Sequence, residues 1–271
     1  MTENPIKISV IIPSYNRANT IVRAIESARG QSYSVSEIIV VDDASSDNTS
    51  ETVQAIDDNR IRYCCLEKNR GAAGARNYGV SQARYDMIAF LDSDDIWHSD
   101  KIEKQVELKK KNADLRLIYT AYARIYDSSE EIYPDLSGNI RLDGDMLSQI
   151  LCENTAGTGT ILMEKSLFDE IGGFDESLRS LEDWDMVIRA AKKTPFGFVP
   201  EVLADALFIS DGITSNMDEY FRSRCLMMKK YRQYYLDTDT FNLAAGSILA
   251  LAQRLNMLEH VQAMLLQSIS S

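Results

Sequence analysis

Residues 92–95 read Asp-Ser-Asp-Asp, with Asp92 and Asp94 two apart. On extended backbone that spacing puts both side chains on one face, with Cα atoms roughly 6.6 Å apart, so both can converge on one ligand. Such a pair offers oxygen donors only, which suits Mg2+ or Mn2+ better than zinc. The residues also suit a plainer purpose, because Ser93, Asp94 and Asp95 can form a turn and cap the helix that follows. A second acidic group, Glu182, Asp183 and Asp185 around Trp184, opens a stretch with helical spacing of apolar residues. A helix dipole stabilises carboxylates there whether or not they do chemistry.

The elements that would carry these acids follow from the apolar pattern. Met87, Ile88, Ala89, Phe90 and Leu91 run directly into Asp92, as a buried strand delivering carboxylates to its carboxyl end. In an open α/β sheet that end faces a ligand crevice. Residues 7–12, 37–41 and 61–66 predict three earlier strands. The first ends in Pro13, Ser14, Tyr15, Asn16 and Arg17, ahead of a helix with Ile21, Val22, Ile25 and Ala28 on one side. The second ends in Asp42 and Asp43, and Ser45, Ser46 and Asp47 supply caps for a helix over 49–56. After the third, Gly71, Ala72, Ala73, Gly74, Ala75 and Arg76 form a small-residue helix start that lets a ligand approach closely. This alternation predicts a parallel sheet with right-handed crossovers, its acid-tipped strands opening on one edge.

Further along, the pattern predicts a charged helix over 100–111, a strand over 115–125 and a polar loop over 126–139. A short helix at 145–153, a strand at 158–163, a helix at 165–171 and strands at 196–199 and 203–209 complete a catalytic unit over 1–215. Residues 216–271 read as a helical extension, with helices over 217–235 and 241–267. The second of these is rich in Leu, Ala and Met and needs cover. Self-association is the expected source, ahead of packing on the core or contact with a membrane.

Composition narrows the classes. The chain has 271 residues, 45% of them apolar, enough for a sizeable core. Lys and Arg number 29 against 41 acids, a net charge of −12, which argues against nucleic acid and against general attraction to anionic lipid. An anionic ligand therefore needs a metal or a local basic patch. The four cysteines show no C-x-x-C spacing and read as reduced thiols. The polar amino terminus and the lack of any apolar run near the ~18 residues of a membrane span point to a cytoplasmic protein, at most peripheral to a membrane.

Four stretches in order, residues 9–17 (SVIIPSYNR), 40–47 (VVDDASSD), 90–95 (FLDSDD) and 172–189 (GGFDESLRSLEDWDMVIR), resemble family 2 inverting glycosyltransferases of the GT-A fold, a Rossmann-like, mostly parallel sheet flanked by helices. The resemblance covers residues 7–215. It implies that Pro13, Tyr15, Arg17 and Asp43 hold the uridine of a nucleoside diphosphate sugar, with Arg76 as a further donor-binding residue. Asp92 would reach the ribose, Asp94 would coordinate Mn2+ or Mg2+ on the diphosphate, and Asp183 would be the general base toward the acceptor hydroxyl. Asp42 would support the loop, and Trp184 would stack on sugar or fill the core. The implied reaction is a single displacement with inversion, moving a hexose from a UDP-sugar to a glycan, lipid-linked or protein-linked glycan acceptor. Relatives that carry a histidine after the last core strand depart from this chain, which has Ser210, Asp211 and Gly212 there; Asp211 reads as a loop ligand or a turn residue. A sugar nucleotidyltransferase is the competing enzyme class, but the 13–17 loop contains no glycine. A receiver-type phosphoacceptor domain would be much shorter. A catalytically silent binding or scaffold protein would share the motifs.

Overall fold

The computed structural model describes residues 5–138, 141–207 and 217–270. Its first half alternates strictly: β1 (Ile8–Ser14), α1 (Ile21–Arg29), β2 (Glu37–Asp42), α2 (Thr49–Gln54), β3 (Ile61–Cys65), α3 (Gly71–Gln82) and β4 (Met87–Phe90). These strands pair in parallel in the order β3-β2-β1-β4, and every residue of β1, β2 and β4 is buried. That is why they read as unbroken apolar runs: a strand covered on both faces has no polar side to alternate with. Val10 and Ile12 pack on the α1 side and Ile11 on the other, the period of two expected of a strand. Gly79 in α3 lies so close to β1 that a Cβ would sit 2.5 Å from Ile11 Cγ2, so the helix settles onto the sheet through its small residues.

The second half contains β5 (Ile96–Trp97), α4 (Lys101–Lys111), β6 (Leu117–Ile125), β7 (Glu130–Tyr133), α5 (Leu147–Cys152), β8 (Leu162–Glu164), α6 (Lys165–Ile171), α7 (Glu182–Ala191) and β9 (Phe196–Leu207). β8 runs antiparallel between β4 and β6, β9 lies parallel to β6, and β5 pairs antiparallel with β9. The sheet is therefore mixed, in the order β3-β2-β1-β4-β8-β6-β9-β5 with β7 paired to β6. Where the sequence suggests a loop over 126–139, residues 130–133 form the hairpin strand β7. Where it suggests two strands, residues 196–207 form one bent strand. Val199 pairs with Thr120 and Val202 with the next residue, Ala121, so Pro200 and Glu201 bulge out. Proline has no N–H to give the ladder, and the bulge accommodates it. The expected strand at 158–163 opens as a 3-10 turn over Thr158–Thr160 before β8 begins.

The carboxyl-terminal part is four helices where the sequence suggests two: α8 (Met217–Lys230), α9 (Arg232–Asp237), α10 (Phe241–Arg254) and α11 (Leu258–Ser270). Asp239 (φ 54°) and Asn256 (φ 56°) take the left-handed conformation at the breaks, which these short polar residues tolerate. Phe221, Met228, Tyr235, Ile248, Val261 and Leu265 share one core cluster with Ile150, Trp184 and Ile188 of α5 and α7. The cover expected from a second subunit is thus largely supplied by the chain itself, while Leu226, Leu243 and Leu266 stay exposed. Among the described residues no helix is long and apolar enough to cross a membrane.

Candidate active site

The loops after β1 and β2 form one floor. Asn16 takes the left-handed conformation (φ 53°), its side-chain oxygen accepts from Ser46 N at 2.8 Å, and its own N–H donates to Ser45 Oγ at 2.8 Å. Asp42 holds this floor from below, accepting from Ser45 N at 2.7 Å and Tyr63 Oη at 2.5 Å. Asp43 accepts from Arg70 N at 2.7 Å and Gly71 N at 2.8 Å, one bond to each oxygen, so it clamps the start of α3. Burial pushes its carboxyl up and those two donors pull against it. Pro13 is buried in β1, Tyr15 is 48% exposed on the floor, and Arg17 reaches 3.4 Å from Asp94 Oδ2.

The acids after β4 part ways in their surroundings. Asp92 Oδ1 accepts from Arg76 Nη2 at 2.6 Å, and Arg76 Nη1 donates to Glu182 Oε1 at 3.0 Å. One buried guanidinium therefore ties the Asp92–Asp95 loop to the start of α7. Burial works against its charge, but Asp92 and Glu182 outweigh burial and hold the guanidinium above its ordinary value. Asp94 is raised by burial and by Asp92, with Arg17 opposing, and Arg23 donates to its backbone oxygen at 3.0 Å. Asp95 turns inward and accepts from Leu207 N at 3.1 Å, pinning the end of β9; burial, Asp92 and Asp94 raise its carboxyl well above the usual range.

Asp183 lies in the first turn of α7, right after Glu182. Burial, then the charge of Glu182, raises its pKa to about 6, with the Trp184 N–H and Arg76 pulling the other way. Asn154 Nδ2 donates to its Oδ2 at 3.0 Å. Trp184 faces inward, donating from Nε1 to the Ile150 carbonyl at 2.6 Å, so it fills core and does not face a sugar. Asn154 and Tyr122 are not singled out by the sequence: each is a lone polar residue with no motif around it. Tyr122 Oη accepts from Arg124 Nε (3.2 Å) and Nη2 (3.0 Å), and burial raises its phenol, with Asp183 and Asp95 adding to the effect. Asp211 lies outside the described residues.

The structure thus brings Asp92, Asp94 and Asp183 to the carboxyl edge of the sheet, with Arg17, Arg76 and Asp43 beside them. A cavity of about 700 Å3 lined by Lys7, Arg84, Tyr85 and Glu164 opens at the opposite, amino-terminal end of β1 and β4, away from these acids. Among the described residues no three His, Cys, Asp or Glu side chains converge to hold a metal by themselves. The oxygen-only donors nevertheless fit Mg2+ or Mn2+, ions that commonly take one or two carboxylates and complete their shell with substrate phosphates and water. The crowding by which Asp92 raises the carboxyls of Asp94 and Asp95, and Asp94 that of Asp95, is also what a bound cation would relieve.

The profile described as Glycosyl transferase family 2 matches residues 9–172, more than half of the chain. The chain belongs to this family. The family 2 match includes Asp92 and Asp94 and stops short of Asp183. An uncharacterized glycosyltransferase of Rickettsia felis is 38% identical over 213 residues, which is 78% of this chain and 34% of that one. The chain therefore spans about a third of that relative's length. The UDP-Glc:alpha-D-GlcNAc-diphosphoundecaprenol beta-1,3-glucosyltransferase of Escherichia coli is 43% identical over 122 residues, 45% of this chain and 48% of that one. Among solved structures, a mannosyltransferase of Pyrobaculum calidifontis in complex with GDP-Man and Mn2+ superposes with a TM-score of 0.67, at 16% identity, covering 99% of this chain and 81% of that one. This family 2 chain has the GT-A fold, with helices at its carboxyl terminus.

Proposed function

We propose that this chain moves a hexose from a UDP-sugar to a hydroxyl of a glycan, lipid-linked or protein-linked glycan acceptor, in one displacement with inversion. The observation that carries the reading is Arg76, whose guanidinium joins Asp92 on the donor side to Glu182, the neighbour of Asp183. Donor-side acids and a base are thereby fixed relative to each other, which a one-step displacement requires.

Asp183 takes the proton of the attacking hydroxyl. A pKa near 6 makes it a stronger base than an ordinary carboxylate while leaving it mostly ionised at neutral pH. Asn154 holds one of its oxygens and so orients the other. Asp43, Tyr15, Pro13 and Arg17 form the uridine side, and Asp92 meets the ribose. Asp94, with water and the donor's phosphates, would hold Mn2+ or Mg2+. When bound, the ion supplies charge neutralisation to the departing diphosphate. Arg17 rests on Asp94 at 3.4 Å and offers a protein cation beside that leaving group.

A uridine donor is favoured over a guanosine one because the relative at 43% identity is named for UDP-Glc, whereas the mannosyltransferase is only 16% identical. Residues 1–215 carry the donor site and the chemistry in this reading, and 216–271 form a helical extension. Work in the cytoplasm, at a membrane surface when the acceptor is lipid-linked, accords with four free cysteines. The test is nucleotide release by the purified chain from UDP-hexoses and GDP-mannose with Mn2+, and the anomeric configuration of the product by NMR. Release from UDP-hexoses, lost in Asp183→Asn and Asp94→Asn, supports the proposal. Retention of configuration, or no release from any donor, defeats it.

A further inference from the structure

Both residues that follow Asp183 are gripped by the carboxyl-terminal helices. Asp185 is fully buried. Its Oδ1 accepts from Lys230 Nζ and from Tyr231 Oη, each at 2.6 Å, and its Oδ2 accepts from Arg189 Nε at 2.8 Å. Lys230 also reaches Asp175 at 3.0 Å, just ahead of α7. On the other side of the helix start, the guanidinium carbon of Arg224 lies 3.7 Å from the centre of the Trp184 ring. Arg224 is 1% exposed, and its Nη2 donates to the Cys152 carbonyl at 3.4 Å, two residues before Asn154.

Apolar side chains would pack α8 onto the core at least as well. Taking the Arg224 guanidinium and the Asp185 carboxylate out of water costs free energy that their polar partners only partly return, while Lys230 stays 40% exposed. What the polar set adds is a fixed register between α8 and α7, because Lys230 spans Asp175 and Asp185, the Tyr231 hydroxyl meets Asp185, and the Arg224 guanidinium stacks on Trp184.

We infer that α8, with Tyr231 at its junction to α9, is a positioning element of the catalytic site: Lys230, Tyr231 and Arg224 hold Asp185 and Trp184, and through them fix where Asp183 stands in the cleft. The inference rests on Asp183 being the base. The donor-side residues sit on loops after β1, β2 and β4 and join α7 through Arg76 and Glu182, so loss of the α8 contacts is expected to act on the base ahead of donor binding. A displacement of about 1 Å at a reacting group can cost on the order of 100-fold in rate.

The test uses the full chain carrying Tyr231→Phe, Lys230→Met, Lys230→Arg or Arg224→Met, with Arg222→Gln as control, since Arg222 is exposed and pairs with Asp218 in a bond of 2.8 Å. Circular dichroism and thermal midpoint report folding, and UDP-glucose turnover gives kcat and the donor KM. The expected result is a kcat lowered about 10- to 100-fold in Tyr231→Phe and Lys230→Met, with donor KM within about twofold, partial rescue in Lys230→Arg and no change in Arg222→Gln. In an Asp183→Asn background the same substitutions lower the residual rate no further. Wild-type kcat in folded Lys230→Met and Tyr231→Phe overturns the inference, as does an undiminished effect in the Asp183→Asn background. Tyr231→Phe removes a single hydroxyl and carries the test if Lys230→Met does not fold. Full activity in Asp183→Asn instead removes the base assignment, and the inference with it. An inactive Asp183→Asn beside fully active α8 variants removes the inference alone.

Discussion

Asp183→Asn separates activity from stability in opposite directions. The carboxyl has an ordinary value of 3.8 and is raised to about 6 in the fold. At about 1.4 kcal/mol per pH unit, that displacement corresponds to roughly 3 kcal/mol. The sign follows from proton binding: the folded chain holds this proton more tightly than the unfolded chain does. Below pH about 4 both states are protonated and the group costs nothing; above pH about 6 both are ionised and the full cost applies. Asparagine keeps the shape, can still pair with Asn154 and carries no charge. An unfolding entropy of about 2.1 cal/mol/K per residue over 271 residues gives roughly 0.6 kcal/mol per kelvin. The variant is therefore expected to melt about 3 to 5 °C above the parent at pH 8 and at the same temperature near pH 4, where the parent's own cost has vanished. The assay is a pair of calorimetric scans across that pH range, alongside UDP release, which, with ionised Asp183 as the proposed base, is expected to fall in the parent as pH drops through about 6. A variant that melts at or below the parent's temperature at pH 8, or a gap that does not close in acid, would refute the argument that burial and Glu182 strain this carboxylate.

The other expectations concern the groups around it. Asp94→Asn should lose Mn2+-stimulated UDP release by on the order of 100-fold while melting within a few degrees of the parent, because Asp94 faces the ligand side; stimulation by Mn2+ at the parent's level speaks against its role. Arg76→Met leaves Asp92 and Glu182 unneutralised around a buried site and is expected to cost about 3–5 kcal/mol in urea unfolding. Arg76→Lys should recover little of this, since a single ammonium cannot span two carboxylates as the guanidinium fork does. Phe221→Ala, at a fully buried site of α8, is expected to cost about 3–5 kcal/mol and to lower one transition shared by the whole chain; a separate melting step confined to part of the helical signal would show the tail folding apart from the core.

The first half of the fold was legible because β1, β2 and β4 are covered on both faces and each is closed by capping or acidic residues. The later strands were harder for local reasons. β5 is two residues long, β7 carries Glu130 and Glu131 on an exposed edge, and β9 hides its continuity behind Pro200. The tail read as an apolar surface in need of a partner because the residues that cover it, Ile150, Trp184 and Ile188, are far away in sequence. At the site, the acids announced themselves by clustering at strand and helix ends. Arg76 was visible as a basic residue in a small-residue helix, but its bridge between Asp92 and Glu182 is a tertiary fact. Asn154 carried no signal, since a single asparagine in a connecting segment is ordinary.

Leu181, at the threshold of α7, takes a left-handed backbone conformation (φ 62°) that leucine rarely adopts. Such a conformation costs of order 1–3 kcal/mol, and the Leu181 side chain packs against the main core cluster while its carbonyl accepts from Asp185 N at 3.0 Å. The helix bearing the proposed base is then set like a spring catch, with hydrophobic contact opposing the backbone preference at its threshold. Dilute denaturant is expected to loosen such a catch first, so that nucleotide release fades while circular dichroism still reports a native protein.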